Sequence, residues 1–237
     1  MRLDIYTAEK LGVSRTRASN IVKMGGVTVN GAVCTKTGAE IAPSDNIFIS
    51  DTVKYASLGG VKLENAFRTF GVSPSGKECL DVGAANGGFT QCMLVNGAKS
   101  VASVDLNLAF PPEVAEDERV TLYDGVNAKN LAEIFPPERF DLISVDLSFI
   151  SLCPLFPLFY NLLRKGGSLI SLFKPQFEVG RAFLPKSGVV HDKKAMEKAF
   201  RQTVESAKLA GFSFVGACDV PEYFADKNKE KTILFVK

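Results

Sequence analysis

Three glycines stand between an apolar run and an apolar-periodic segment in Asp81-Val82-Gly83-Ala84-Ala85-Asn86-Gly87-Gly88-Phe89-Thr90, leaving the chain around them few ways to fold. Cys79-Leu80 precede the stretch and the periodic segment begins near Phe89, so strand, glycine-rich turn and helix follow in that order. Such a unit presents backbone N–H groups and a helix N-terminus to a ligand. Gly83, Gly87 and Gly88 lack the Cβ atoms that would hold a flat ligand off the backbone. The spacing is not that of a phosphate loop, because no Lys-Ser or Lys-Thr pair closes it. It is not G-x-G-x-x-G either, because Ala84-Ala85-Asn86 separates the glycines. Asp105 ends the next apolar run, Ser100-Val101-Ala102-Ser103-Val104-Asp105, roughly 20 residues on, where a carboxylate accepts hydrogen bonds from a ribose diol. A purely structural turn is the alternative, and Asp105 tips the reading toward a nucleoside-bearing cofactor.

From residue 78 onward, strand and helix patterns alternate, which predicts an α/β domain with a mostly parallel sheet. Strands are expected at 78–82, 100–105, 120–123, 141–146, 168–173, 213–218 and 232–236. A long helix is expected over 193–209, with Met196, Phe200, Val204 and Ala207 facing inward. Ahead of the sheet, Leu63, Ala66, Phe67 and Phe70 recur at helical spacing and Gly71 closes the segment. Lys62 falls at the N-terminal end of that helix, where the dipole disfavours a cation.

Residues 1–55 read as a separate α+β unit, joined through a linker at 56–61 to a domain spanning 62–237. Ser14 caps a helix that buries Ala18, Ile21 and Val22, and Gly25-Gly26 stops it. Val27-Thr28-Val29-Asn30-Gly31-Ala32-Val33 alternates around an Asn-Gly turn, a hairpin signal. The order of Ser14-Arg15-Thr16-Arg17-Ala18-Ser19 and Gly26-Val27-Thr28-Val29-Asn30-Gly31 resembles the S4 RNA-binding domain. Arg15, Arg17 and Lys23 lie off the apolar face and are candidates for contacting RNA phosphates; a solvated charged face is the alternative. The segment Lys54-Tyr55-Ala56-Ser57-Leu58-Gly59-Gly60 reads as a linker ending in a flexible Gly-Gly.

Composition excludes several classes. With 46% hydrophobic and 23% charged residues the chain is of soluble globular type, and its net charge of +2 permits a nucleic-acid partner without demanding one. Five cysteines without a CxxC pair argue for buried reduced thiols, not a disulfide framework or a zinc site, and the single histidine, His191, disfavours multi-histidine metal chemistry. No metal is expected. The charged N-terminus lacks a signal-peptide core, and the apolar stretch 142–163 is interrupted by Asp146, Pro154, Pro157 and Asn161, so a cytoplasmic protein without a membrane span is expected.

Asp146 ends the fourth expected strand in Val145-Asp146-Leu147-Ser148-Phe149, and Lys174 ends the fifth in Leu172-Phe173-Lys174-Pro175-Gln176-Phe177-Glu178. Ligands bind outside the carboxyl ends of such strands, which places both side chains in the crevice of Gly83. A structural ion pair is the alternative, and Glu230 on its own reads as part of a solvated charge run. With Gly59-Gly60-Val61-Lys62-Leu63, the glycine loop, Asp146 to Leu152, Lys174 to Glu178 and Asn228-Lys229-Glu230, the whole chain resembles the hemolysin A (TlyA) family. That family joins an S4 domain to a methyltransferase domain like that of FtsJ, the heat-shock ribosomal RNA 2′-O-methyltransferase.

The resemblance implies a Rossmann-like seven-stranded methyltransferase sheet, mostly parallel with its last strand antiparallel. It implies a Lys-Asp-Lys-Glu catalytic tetrad of Lys62, Asp146, Lys174 and Glu230. S-adenosylmethionine would lie against Gly83, Gly87 and Phe89, with Asp105 at its ribose and Asn127 near its adenine. The implied substrate is a ribose 2′-hydroxyl of cytidine in ribosomal RNA, and the implied partner the ribosomal subunit. A 2′-hydroxyl is a poor nucleophile until its proton is removed, and a lysine serves as base only where burial and a second cation destabilise its ammonium form. The chain departs from the family at Leu58, where many relatives carry Arg, and over Asn107 to Pro112. Asp146-Leu147-Ser148-Phe149 also faintly resembles the D-P-P-Y box of amino-methylating enzymes, without its prolines. A cytolysin and an RNA-binding protein without methyl transfer are the readings from other classes.

Overall fold

The computed structural model describes residues 1–50, 54–180, 183–220 and 228–237. Helices α1 (Leu3–Leu11) and α2 (Arg15–Lys23) pack on an antiparallel sheet of β1 (Val27–Val29), β2 (Ala32–Val33) and β3 (Ile47–Ile49), in the order β2-β1-β3. Ser14 Oγ accepts from the Arg17 amide at 3.2 Å and starts α2, while Ile21 and Val22 are buried with Leu3 and Val27. Asn30 and Gly31, at φ of 51° and 82°, form the tight turn that the Asn-Gly pair predicts.

Helix α3 spans Leu58–Phe70, so Gly59 and Gly60 form its first turn and are not the flexible end of a linker. Ser57 Oγ caps the helix by accepting from the Gly59 amide at 3.3 Å. Close approach explains the second glycine, because a Cβ on Gly60 would overlap the buried ring of Tyr55. Lys62 therefore sits in the second turn of α3, beyond the first-turn amides that would oppose its charge.

The larger unit continues through β4 (Glu78–Val82), α4 (Gly88–Val95), β5 (Ser100–Asp105), α5 (Pro112–Ala115), β6 (Val120–Asp124) and β7 (Phe140–Val145). It closes with α6 (Phe156–Leu162), β8 (Leu163–Phe173), the single turn α7 (Pro175–Glu178), α8 (Lys193–Leu209), β9 (Ser213–Asp219) and β10 (Lys231–Val236). Seven strands form one sheet in the order β6-β5-β4-β7-β8-β10-β9. β10 inserts between β8 and β9 and runs antiparallel to both. β8 starts five residues earlier than expected, because Phe140 pairs with Leu163 and an irregularity between Phe140 and Leu142 absorbs the Gly166-Gly167 stretch.

Alternation along the strands sorts the core into two layers. Leu80, Val104, Ile143, Leu169, Phe173 and Phe235 join the cluster that includes α6 and α8. Cys79, Val101, Leu142, Ile170 and Leu234 join the cluster of α3 and α4. The stripe that α8 buries is Ala195, Ala199, Thr203, Val204 and Ala207; its small residues let the helix sit close, leaving Met196 and Phe200 half-buried on its flank, not fully inward as expected. All five cysteines are free, and burial pushes the Cys79 and Cys92 thiols up to about 12. Among the described residues no helix is long and apolar enough to cross a membrane.

Candidate active site

The turn after β4 is fixed from below and from the side. Asp81 is fully buried beneath it, accepting from Thr90 Oγ1 at 2.7 Å and from Ser144 Oγ at 3.2 Å. Gly83 has φ of 85°, and a Cβ there would overlap the main-chain carbonyl of Asp146, which has no freedom to yield. Gly87 caps the N-terminus of α4 and lies against the ring of Phe110. Asp105, at the end of β5, accepts from the Ala85 amide through Oδ2 and from the Asn107 amide through Oδ1, each at 3.0 Å. Its carboxylate thus braces the glycine turn, and each oxygen keeps a second lone pair.

Two cofactor-site candidates have other local roles as well. The Phe89 ring is buried in the apolar cluster between α4 and Gly59, and its backbone amide lies in the first turn of α4. Asn127 is exposed, and its Oδ1 accepts from the Lys129 amide at 3.0 Å to cap a short 3₁₀ turn.

The four residues of the expected tetrad meet as two ion pairs. Lys62 Nζ lies 2.6 Å from Glu230 Oε2, and Lys174 Nζ lies 2.5 Å from Asp146 Oδ1. None of the four side chains is more than about a fifth exposed, with Asp146 the most open at 21%. Register explains how distant residues converge. Lys231 is directly opposite Phe173, so one step further Glu230 lies opposite Lys174, both on the α3 side of the sheet. Asp146 follows β7 by one residue, and its amide donates to the Val82 carbonyl at 2.9 Å, which ties it to the turn of Gly83. Lys174 Nζ also donates to Ser148 Oγ at 3.1 Å.

Several residues in this crevice carried no role in the sequence reading. Glu178 accepts from the Leu152 amide at 2.8 Å and from Ser151 Oγ at 2.7 Å, joining α7 to the loop after β7. Burial raises its carboxyl above the usual range, against the pull of those hydrogen bonds. Phe149, in the same loop, has φ of 67° and is 91% exposed, with its ring 5.2 Å from that of Phe177. A bulky residue held there costs backbone energy and offers an open aromatic face. Asp124 lies opposite Asp105 in the β5–β6 register and accepts from the Leu108 amide at 2.8 Å. In the sequence Glu178 is an acid set between Phe177 and Val179; nothing local marks Asp124 or Phe110.

In the smaller unit, Arg15 Nε lies 3.0 Å from the buried carboxylate of Asp4, and Arg17 Nη1 lies 3.0 Å from Glu113 of α5. The Asp4 carboxyl is held well below the usual range by hydrogen bonds from Arg2 and Arg15. Arg17 is thereby drawn toward the larger unit, while Lys23 lies in the last turn of α2.

A seven-stranded sheet with an antiparallel insertion, a glycine turn after its first strand and an acid ending the second defines a methyltransferase-type fold. A solved S-adenosylmethionine-dependent methyltransferase from Mesorhizobium loti shares it, with a TM-score of 0.56 over 76% of this chain and 100% of that one, at 16% identity. The sequence profile of FtsJ-like methyltransferases matches residues 55–237 and that of the S4 domain residues 1–47. Hemolysin A of Brachyspira hyodysenteriae is 36% identical over 100% of both chains. The 16S/23S rRNA (cytidine-2′-O)-methyltransferase TlyA of Mycobacterium tuberculosis is 31% identical over 87% of this chain and 78% of its own. The chain belongs to the hemolysin A/TlyA family, in which an S4 domain precedes an FtsJ-like methyltransferase domain.

Proposed function

We propose that this protein is an S-adenosylmethionine-dependent methyltransferase acting on a ribose 2′-hydroxyl, that of cytidine, in ribosomal RNA. The observation that carries the reading is the meeting of the Lys62–Glu230 and Lys174–Asp146 pairs at the strand ends beside Gly83. Relatives named for cytidine 2′-O-methylation supply the substrate class.

The crevice fits the cofactor on its own features. Gly83 lets the main chain of Asp146 approach the turn, Asp105 keeps acceptor capacity at the end of β5, and Gly87 starts α4 without a side chain. When bound, the cofactor supplies a methyl group activated by a positive sulfur, and alignment with the attacking oxygen is left to the protein. Lys174 would take up the proton of the 2′-hydroxyl at Nζ, leaving that oxygen free to accept the methyl group the cofactor would supply. Lys62 faces the oxygen as its charge develops. Asp146 and Glu230 hold the two lysines in place and offset their mutual repulsion. Arg15, Arg17 and Lys23 would position the RNA through its phosphates, with Glu113 displaced from Arg17 on engagement.

The test uses purified protein, ribosomal RNA or subunits and S-adenosylmethionine, followed by nuclease digestion and mass spectrometry. Methylated ribose is expected; methylated base would overturn the assignment. Lys174→Ala is expected to lower transfer at least about 100-fold while cofactor affinity by calorimetry stays within a few-fold. Undiminished turnover of that variant would remove Lys174 from the role.

A further inference from the structure

The opposite face of the same strand ends carries a cavity of about 790 Å³. Phe173 and Pro175 flank Lys174 in sequence, and Lys229 and Lys231 flank Glu230; all four line this cavity. Alternation thus turns one set of side chains toward α3 and the next toward α8. The floor is apolar: the Phe173 ring stands edge-on to Phe200 at 5.4 Å, and Met196 and Val190 extend the surface. The rim is basic, with Lys193, Arg201, Lys229 and Lys231 set against Glu197 and Asp219. Asn228 ties this wall to the strand that follows Glu230. Its Oδ1 accepts from the Val190 amide and its Nδ2 donates to the Gly188 carbonyl, each at 2.8 Å.

We propose that this cavity receives an unstacked nucleobase of the RNA strand next to the reacting nucleotide. The inference rests on the methyltransferase reading above. The cavity has the size of a small-ligand site. Its apolar floor, in which Phe200 is the half-buried ring and Phe173 lies buried beneath, suits a base drawn out of its stack, and its excess of cations suits the phosphates on either side. An acidic peptide would match the rim and leave the apolar floor without a partner. Because the cavity shares Phe173 to Pro175 and Lys229 to Lys231 with the strand ends that carry Lys174 and Glu230, a bound base there would set the register of the strand at the 2′-oxygen.

Two variants of the full chain test this. Met196→Trp fills the cavity from a half-buried position, and Lys193→Ala/Arg201→Ala removes two of the four rim cations without touching the floor. Methylation kinetics on ribosomal RNA, anisotropy of a fluorescent single-stranded rRNA fragment, calorimetry with S-adenosylmethionine and melting curves are read for each. Met196→Trp is expected to raise KM for RNA about 10-fold or more, with cofactor affinity and melting temperature unchanged. The rim variant is expected to lower the slope of log affinity against log salt by about 1.4, the value for two single-strand phosphate contacts. With wild-type protein active, an unchanged KM in the first variant together with an unchanged slope in the second overturns the proposal. Absence of methylation by wild-type protein would overturn the methyltransferase reading alone, since anisotropy reports on the cavity without turnover. If Met196→Trp melts early, the rim variant decides the outcome by itself.

Discussion

Asp81 is fully buried and never reaches the crevice, yet it stands in the middle of the turn's support. Burial raises its carboxyl from the ordinary aspartate range to about 7, with hydrogen bonds from Thr90 and Ser144 pulling the other way and nearby Asp146 adding to the rise. The folded state therefore favours the protonated acid. That stability is fully present below about pH 4 and falls away as pH climbs to about 7, a loss of roughly 4 kcal/mol once both states are ionised. Asp81→Asn keeps the shape without the titration, and Thr90 and Ser144 can rotate to accept from the amide. The melting temperature of this variant relative to wild type is expected to rise between pH 4 and pH 7 and to level off above; a pH-independent difference would contradict the assignment. Much of the candidate site is legible one residue at a time. Gly83, Asp105, Asp146 and Lys174 stand at strand ends where a parallel sheet gathers its ligands. Glu230 and Lys62 are legible only through family resemblance, because periodicity ranks one as surface charge and sets the other against a helix dipole. The bracing done by Asp105 and the capping done by Asn127 are invisible without coordinates, since both depend on which amide happens to face the side chain.

Among the elements, the loop after β7 and the turn α7 act as one piece. Glu178 holds Leu152 and Ser151, Lys174 holds Asp146 and Ser148, and Phe149 rests on Phe177. Removing Glu178 leaves a mostly buried backbone amide without its acceptor, an expense of about 1–3 kcal/mol. Glu178→Ala is expected to lower stability by about that amount in urea denaturation, whereas Glu178→Gln, which still accepts at one oxygen, should recover most of it. Equal losses in the two variants would show that the hydrogen bonds are not what stabilises the loop. Strand positions in this region follow from alternation, and the helix over 193–209 from its periodicity. The rotation of α8 does not, because Met196 and Phe200 are as apolar as a core stripe requires and only packing shows that Ala195 and Ala199 win the contact. Gly59-Gly60 misleads for a related reason: a glycine pair signals freedom, but here a buried tyrosine ring takes up the space.

At the scale of the molecule, Arg17 and Glu113 bridge the small unit and the sheet, at 21% and 52% exposure. A pair so open to water contributes under about 1 kcal/mol to stability, which a double-mutant cycle on Arg17→Ala and Glu113→Ala should return. Its larger consequence is competition. Glu113→Ala frees the guanidinium, so RNA affinity measured by anisotropy is expected to rise a few-fold, and Arg17→Ala to lower it; no change in either would take Arg17 out of the RNA contact. The order of assembly follows from β10. This strand comes after all the others in the chain, yet it lies inside the sheet, with β8 on one side and β9 on the other. A chain still being synthesised can pair its first five sheet strands while Lys62 waits for its counter-charge and β8 keeps an open edge. The candidate site and the sheet are therefore finished by the same late event, and a nascent polypeptide halted before residue 230 holds the glycine turn but not the charge balance around it.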